Sequence, residues 1–205
     1  MAESTALKGM SKDEKLELIL RTSLSCLATY GYNHTTLDII AEKVGVSKGT
    51  LSYYFKNKEE LIAEVLIFAG NRILGSFERV VAEVDTPAEK IHAGLSLLAV
   101  EFLKNHGLLK VYYDLFVQGL FSERLRQLLA TITRRFREAF MVFLRAGEDG
   151  STIDSEANVL IKAALLGCLV DGIVKQIILD PEAFAGVDVE AGMENLFQNI
   201  SRNIF

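Results

Sequence analysis

The sequence predicts an all-α protein of about nine helices. Only two of its 205 residues are proline, Pro87 and Pro181, and proline is the residue that helix interiors exclude. Apolar residues recur every three or four positions through most of the chain, and residues that favour helix caps precede most of these segments. Half of the residues are hydrophobic and 24% are charged, so the chain can bury a sizeable core.

Each helix is predicted from the residues that begin and end it. Serine, threonine, asparagine and aspartate are favoured at the N-cap because their side chains accept hydrogen bonds from the free N–H groups of the first turn. The predicted N-caps, in chain order, are Ser11 (in a capping box with Glu14), Thr35 or Thr36, Ser47, Asn57, Thr86, Ser122, Asp154 and Asp188. Breaks are predicted at Gly31, near Gly45, at Gly107, at Gly119, in a turn over 147–150 and at Asp180-Pro181.

The net charge of −5 argues, for the chain as a whole, against a nucleic-acid-binding protein. The charge is not spread evenly. Residues 1–60 hold eight Lys and Arg against eight Asp and Glu, whereas residues 61–205 hold 14 against 19. The N-terminal part is therefore the less acidic part of the chain.

Targeting and cysteine signals favour a reduced, cytoplasmic setting. Asp171 and Lys175 interrupt the most apolar stretch, residues 163–179, so no membrane span is expected. The first 20 residues mix charges with apolar residues and do not form a secretory signal. Cys26 and Cys168 lie far apart without metal-ligand spacing, so neither a metal site nor a cofactor is predicted.

The most informative segment is 35–55, TTLDIIAEKVGVSKGTLSYYF, in which two short helices flank Gly45. A helix, a glycine turn and a second helix at this spacing are typical of a helix-turn-helix, whose second helix enters the major groove. Ser47 lies at the start of that helix, Lys48 adds a positive charge, Gly49 allows close backbone approach, and Thr50 offers a hydroxyl and a methyl group to a base edge. The full set of predicted DNA contacts is Thr36, Ser47, Lys48, Gly49, Thr50, Ser52, Tyr53, Tyr54 and Lys58.

Residues 10–65 resemble the DNA-binding domain of the TetR family of bacterial transcription regulators. The resemblance is carried by Gly31 to Ile62, GYNHTTLDIIAEKVGVSKGTLSYYFKNKEELI, and above all by the runs GVSKGTL, YF and KEEL. One departure is Ser52, where the family usually carries tyrosine. Residues 66–205 match the family only in length, all-helical character and a final pair of helices.

This resemblance implies a homodimer that binds double-stranded DNA at a pseudo-palindromic operator and mostly represses transcription. It also implies that a small organic inducer, bound in the C-terminal domain, changes the distance between the two reading heads. The expected domains are residues 10–56, with the helix-turn-helix core at 36–55, and a helical ligand-binding and dimerisation domain at 57–205.

An aromatic-rich run, HGLLKVYYDLFVQGLF over residues 106–121, favours a pocket with apolar walls and a few polar groups in the second domain. The candidate ligand-binding residues are Phe68, Asn71, Phe102, His106, Tyr112, Tyr113, Phe116 and Asp171. Aromatic residues at helical spacing can equally be ordinary core, and for Asp171 a buried hydrogen-bonding role stays open.

The segment 157–179 is apolar on nearly all sides, so it must be covered on all sides. We expect it to pair with the last helix and with both copies of these helices in a second chain, as a self-complementary four-helix contact.

Two alternatives to a DNA-binding regulator remain. The first is a helical ligand-binding or scaffolding protein without DNA binding, favoured by Ser52 and the acidic total. The second is a serine hydrolase, because residues 45–49 match the G-x-S-x-G nucleophile elbow. That elbow requires a strand before the serine, whereas the sequence predicts a helix there, so no catalytic residue and no enzyme activity are expected.

Overall fold

The structure is a computed structural model that describes residues 9–146 and 155–203, and these residues form nine α-helices and one short 3₁₀-helix. The α-helices are α1 (Lys12–His34), α2 (Leu37–Val44), α3 (Lys48–Tyr54), α4 (Lys58–Ala82), α5 (Pro87–Lys104), α6 (His106–Gly119), α7 (Glu123–Ala146), α8 (Glu156–Leu179) and α9 (Val189–Asn203). The 3₁₀-helix is Pro181–Phe184. The all-α fold class is confirmed.

Most of the helix beginnings coincide with the predicted caps. Backbone N–H groups of the first turn donate to the side chains of Ser11, Thr36, Ser47, Asn57, Thr86, Ser122 and Asp188. The predicted turn at 147–150 and the predicted cap Asp154 lie outside the described residues. Helix α8 begins after Ser155, whose Oγ accepts from the backbone N–H of Asn158 at 3.2 Å.

The helices pack into two compact units, which we call the N-terminal unit (residues 9–71 and 105–130) and the second unit (72–104 and the described part of 131–203). In the N-terminal unit α1 packs against α2 and α6, and α2 packs against α3. Its core is made of fully buried aliphatic side chains from several helices, among them Ile19, Ile40, Leu51, Leu61 and Leu115. Helices α2 and α3, which form the predicted helix-turn-helix, therefore rest on a shared apolar core.

This packing divides the chain differently from the expected boundary between residues 56 and 57. Residues 105–130, which the sequence assigned to the larger domain, pack with the N-terminal helices because the buried face of α6 lies on α1. The first part of α4 also belongs to the N-terminal unit. The division of functions between 10–56 and 57–205 stays a prediction.

In the second unit α5 packs against α8 and α9. Phe77 and Phe140 are both buried, and their rings meet edge to face with centroids 5.4 Å apart. Gly94 of α5 is what makes room for them, because a Cβ there would collide with the Phe77 ring and lie 3.3 Å from Phe140 Cε1. The close approach of α5 to this aromatic pair thus depends on one missing side chain.

Candidate nucleic-acid interface

The turn between α2 and α3 is built around Gly45. Its backbone lies in the left-handed region, with φ +78° and ψ +35°, where glycine is the favoured residue. The N–H groups of Gly45 and Val46 both donate to the carbonyl of Ala41, at 3.0 and 2.9 Å. These two bonds close α2 and direct the chain into α3, as the sequence predicted.

Helix α3 has one buried face and one exposed face. Leu51 has no exposed surface, and Phe55 immediately after the helix is also buried, so the two fix α3 on the core of the N-terminal unit. Ser52 and Tyr53 lie on the outer side, and 78% of Tyr53 is exposed. An aromatic side chain this exposed contributes little to packing and is available to a partner.

The start of α3 carries the polar groups. Ser47 Oγ accepts from the backbone N–H of Thr50 at 3.0 Å and lies 2.9 Å from Thr50 Oγ1, so the two hydroxyls are paired. Lys48 Nζ donates to Asp38 Oδ2, in the first turn of α2, at 2.9 Å. Polar side chains from both helices therefore meet at one exposed edge.

Gly49 leaves the outer surface of α3 without a side chain. A Cβ at this position would lie 3.7 Å from Ser47 Oγ, which is an ordinary contact, and Gly49 has no positive φ. The fold therefore does not require glycine here. The missing side chain matters only for a molecule that approaches α3 from outside.

Lys58, the last of the predicted DNA contacts, is engaged inside the N-terminal unit. Its ammonium donates to the carbonyl oxygen of Tyr32 and lies 4.1 Å from the centroid of the Tyr32 ring. Burial lowers the pKa of Lys58, and the carboxylates of Glu59 and Asp114 partly oppose this effect. Lys58 thus holds the start of α4 to the end of α1, and its contact with DNA stays a prediction.

The same end of α1 is tied to α6. Gly31 interrupts α1 with φ +75° and ψ +171°, which leaves the N–H of Tyr32 outside the helical hydrogen-bond pattern. That N–H donates to Asp114 Oδ2 of α6, 82 residues away along the chain. The backbone N–H of Tyr32 therefore bonds to Asp114 of α6, and its carbonyl oxygen bonds to Lys58 of α4. Tyr32 thus connects α1, α4 and α6.

The predicted ligand-binding residues are divided between the two units. Phe68, Asn71, His106, Tyr112, Tyr113 and Phe116 belong to the N-terminal unit, and Phe102 and Asp171 belong to the second unit. The rings of Tyr112 and Tyr113 meet edge to face with centroids 5.5 Å apart, and Arg21 lies 5.9 Å from the centroid of the Phe68 ring. Phe116 is 49% exposed and so is not core, Asn71 is exposed, and the side chain of His106 lies outside the described part.

Helix α8 presents an apolar surface to solvent. Ile161 and Leu165 are 58% and 57% exposed, and a Cβ at Gly167 or Gly172 would meet nothing within 4 Å. By length and composition alone, α8 would suffice to cross a membrane, but one face of it packs against α5. Within the part of the chain that the structure describes, helix α8 is thus covered on one face, whereas the sequence predicts cover on all sides.

Three residues of this region were not identified from the sequence: Asp38, Tyr32 and Asp114 as contact-forming groups. Asp38 lies ten positions before Lys48, and the two meet only because Gly45 reverses the chain between them. Asp114 appeared in the sequence only as a polar member of the aromatic run. No periodicity relates it to Tyr32, since the contact depends on how α6 packs on α1.

The G-x-S-x-G match at 45–49 has a structural explanation. Helix α2, and not a strand, precedes Ser47, and the hydroxyl of Ser47 caps α3. The strand–turn–helix arrangement of a nucleophile elbow is therefore missing around this serine.

Comparison with known proteins points to one family. Residues 19–65 match the model of bacterial regulatory proteins of the tetR family. The chain is 30% identical over 140 residues to the HTH-type transcriptional regulator YhgD of Bacillus subtilis, covering 63% of this chain and 70% of the relative. It is 28% identical over 115 residues to the HTH-type transcriptional repressor KstR2 of Mycolicibacterium smegmatis, covering 56% and 54%.

A solved structure extends this similarity to the whole fold. The transcriptional regulator FadR of Bacillus subtilis, solved in complex with stearoyl-CoA, superposes with a TM-score of 0.74. The superposition covers 92% of this chain and 98% of FadR, at 20% sequence identity. At this identity the comparison shows a shared fold.

Proposed function

This chain belongs to the TetR family of bacterial regulatory proteins and is a DNA-binding transcriptional regulator, and we propose that it acts as a homodimeric repressor released by a small organic ligand. Each subunit places α3 in the major groove of one half of a pseudo-palindromic operator. The repressor assignment is supported by the similarity to KstR2.

The observation that carries the proposal is the division of α3 into two faces. Leu51 and Phe55 hold the helix rigidly on the core, while Lys48, Gly49, Ser52 and Tyr53 remain outside. The major groove is about 12 Å wide and accepts one α-helix, whose first residues then reach the base edges. An exposed tyrosine, an uncovered helix backbone and hydroxyl groups suit contacts with phosphates and bases.

Dimerisation supplies the second α3 helix that a two-fold symmetric operator requires. The exposed apolar face of α8, with Ile161, Leu165 and Gly172, suits close packing against the same face of a second chain. Two α3 helices related by this symmetry require two half-sites whose centres are about 10 bp apart or a multiple of that distance.

We propose that the ligand is an organic molecule with a large apolar part. Within the N-terminal unit, the aromatic residues of α6, Tyr112, Tyr113 and Phe116, together with Phe68, are the candidates to contact it. FadR of Bacillus subtilis was solved with stearoyl-CoA, so stearoyl-CoA and free stearic acid are the first two probes. A ligand that binds better to the conformation unsuited to DNA lowers operator affinity by its difference in affinity for the two conformations.

The decisive experiment is fluorescence-anisotropy titration of the full chain with the DNA upstream of its own gene. Binding should fall steeply with salt and should be much stronger than binding to a scrambled duplex of the same composition. Tyr53→Ala and Lys48→Ala should weaken operator binding without changing the melting temperature. Lys104→Ala is the matched control, since Lys104 at the end of α5 is equally exposed and pairs with the carboxylate of Glu190 on α9.

Two outcomes would contradict the proposal. Equal affinity for operator and scrambled DNA at every salt concentration would favour a helical scaffolding protein without sequence-specific DNA binding. A loss of binding in Lys104→Ala as large as that in Lys48→Ala would mean that α3 is not the reading helix.

A further inference from the structure

Asp38 places a negative charge on the exposed surface of the helix-turn-helix, and attraction to DNA alone does not explain a negative charge there. It places a carboxylate, 64% exposed, beside Lys48, which is 63% exposed, with Nζ and Oδ2 2.9 Å apart. A carboxylate at this position repels phosphates and neutralises the lysine that would attract them. The pair therefore lowers general affinity for DNA.

Stability gives only a weak reason for the pair. Ion pairs between exposed side chains contribute little to folding. The two helices are already held by their own caps, by the Gly45 turn and by the buried side chains of Ile40 and Leu51. An acidic residue in the first turn of α2 does interact favourably with the helix dipole, but that interaction does not require Lys48.

The pair matches the chemistry of one base pair. In the major groove a G·C pair presents two acceptors, guanine N7 and O6, beside one donor, cytosine N4–H₂. An ammonium has three N–H donors, so Lys48 can keep Asp38 and still donate to guanine. A carboxylate accepts several hydrogen bonds, so Asp38 can keep Lys48 and still accept from cytosine N4.

We propose that Asp38 and Lys48 form one base-reading unit that selects a G·C pair in each half-site. The proposal rests on the proposed function, since it assumes that α3 lies in the major groove. An A·T pair fits less well, because adenine N6–H₂ presents a donor to Lys48 where guanine presents O6. The pair carries no net charge, so it contributes to base selection and not to phosphate attraction.

The test compares Asp38→Asn with Glu42→Gln in the chain of 205 residues. Glu42 is exposed one turn further along the same helix, so both substitutions remove one negative charge from α2. The probes are operator duplexes in which each base pair of the half-site is replaced in turn, symmetrically in both halves. Anisotropy titrations at fixed salt give the affinity for every duplex.

The wild type should prefer G·C by roughly tenfold or more at one symmetric position, which is the range expected for a two-bonded base contact. Asp38→Asn should weaken that preference, because asparagine keeps one acceptor oxygen for cytosine N4 but loses the charge that holds Lys48 in place, and it should leave the other positions unchanged. Lys48→Met should remove the preference at the same position. Glu42→Gln should change the affinity for all duplexes by one common factor.

A double variant, Asp38→Lys with Lys48→Asp, exchanges the two charges and keeps the ion pair. Because the pair is retained, we expect this variant to fold. It should prefer C·G at the position where the wild type prefers G·C. Retention of the original preference in the double variant would overturn the proposal, as would an Asp38→Asn effect that is the same for all duplexes. If instead the wild type distinguishes no DNA sequence, the proposed function itself fails.

Discussion

The connection that Tyr32 makes between three helices can be broken by one substitution, Asp114→Ala. Asp114 accepts the Tyr32 N–H, which has no helical partner because Gly31 interrupts α1. The site is part-buried, so water replaces the carboxylate only incompletely. A hydrogen bond to a charged group contributes about 1.5–3 kcal/mol, and an unsatisfied buried donor costs about 1–3 kcal/mol.

We therefore expect Asp114→Ala to lower the free energy of unfolding by about 2 kcal/mol. For a chain of this size that corresponds to a fall in melting temperature of roughly 4–8 °C. Urea unfolding followed by circular dichroism measures the free energy. Native-state hydrogen exchange at the Tyr32 amide locates the effect, since this N–H should lose its protection first.

Two control variants separate the hydrogen bond from other effects. Asp114→Asn keeps an acceptor oxygen of the same reach, so it should retain a substantial part of the stability. Asp38→Ala removes an exposed aspartate from the same unit, together with an exposed ion pair, and should cost less than about 1 kcal/mol. The reasoning is refuted if Asp114→Ala is within about 0.5 kcal/mol of the wild type, or if Asp38→Ala costs as much.

Four further predictions follow from single residues. Gly49→Ala should leave stability unchanged or raise it by up to about 1 kcal/mol, because alanine favours helix, yet should weaken operator binding in anisotropy titrations. Gly94→Ala should cost about 1–3 kcal/mol in urea unfolding by overpacking the phenylalanine pair, whereas Gly75→Ala, with nothing within 4 Å, should cost nothing. Leu165→Arg should halve the mass measured by light scattering and abolish operator binding, because a charge enters the exposed face of α8. Hydrogen bonds from Thr86 lower the pKa of Glu89, so its carboxylate stabilises the fold above its usual pKa and this contribution disappears as the pH falls through the lowered value. Glu89→Gln should therefore be less stable than the wild type at pH 7, and the difference should shrink steadily as the pH is lowered below the usual carboxyl pKa.

The features that could be predicted from the sequence are those decided within one helical turn. A cap such as Thr36 or Ser47 bonds an N–H three residues later, so cap and partner are visible together in the sequence. The Gly45 turn is likewise local. These local features sufficed for the all-α class and for the outline of the helix-turn-helix, because Leu51 and Phe55 follow the same helical spacing that locates them in the core.

The features that escaped prediction depend on how helices pack. Lys58 looks like a solvent-exposed charge at the start of α4, and only the approach of α1 shows that Tyr32 engages it. The association of α6 with the N-terminal helices has the same origin, since the aromatic run offers several faces and packing on α1 selects one of them. Contacts between side chains on different helices therefore could not be predicted from spacing along the chain.

The contacts of Lys48 and Lys58 limit how this acidic chain can bind DNA. Among the predicted contacts only Lys48 and Lys58 are cationic, and the first is paired with Asp38 while the second is engaged by Tyr32. Neither lysine is therefore available as an unpaired charge. Residues 1–60 also carry no net positive charge that could attract phosphates. Under the proposed function, attraction to phosphates is then weak for one subunit, and each half-site is recognised through short-range contacts from α3. Such contacts add up only when both subunits reach the DNA together, so the proposed dimer contact through the apolar face of α8 should be as necessary for operator binding as α3.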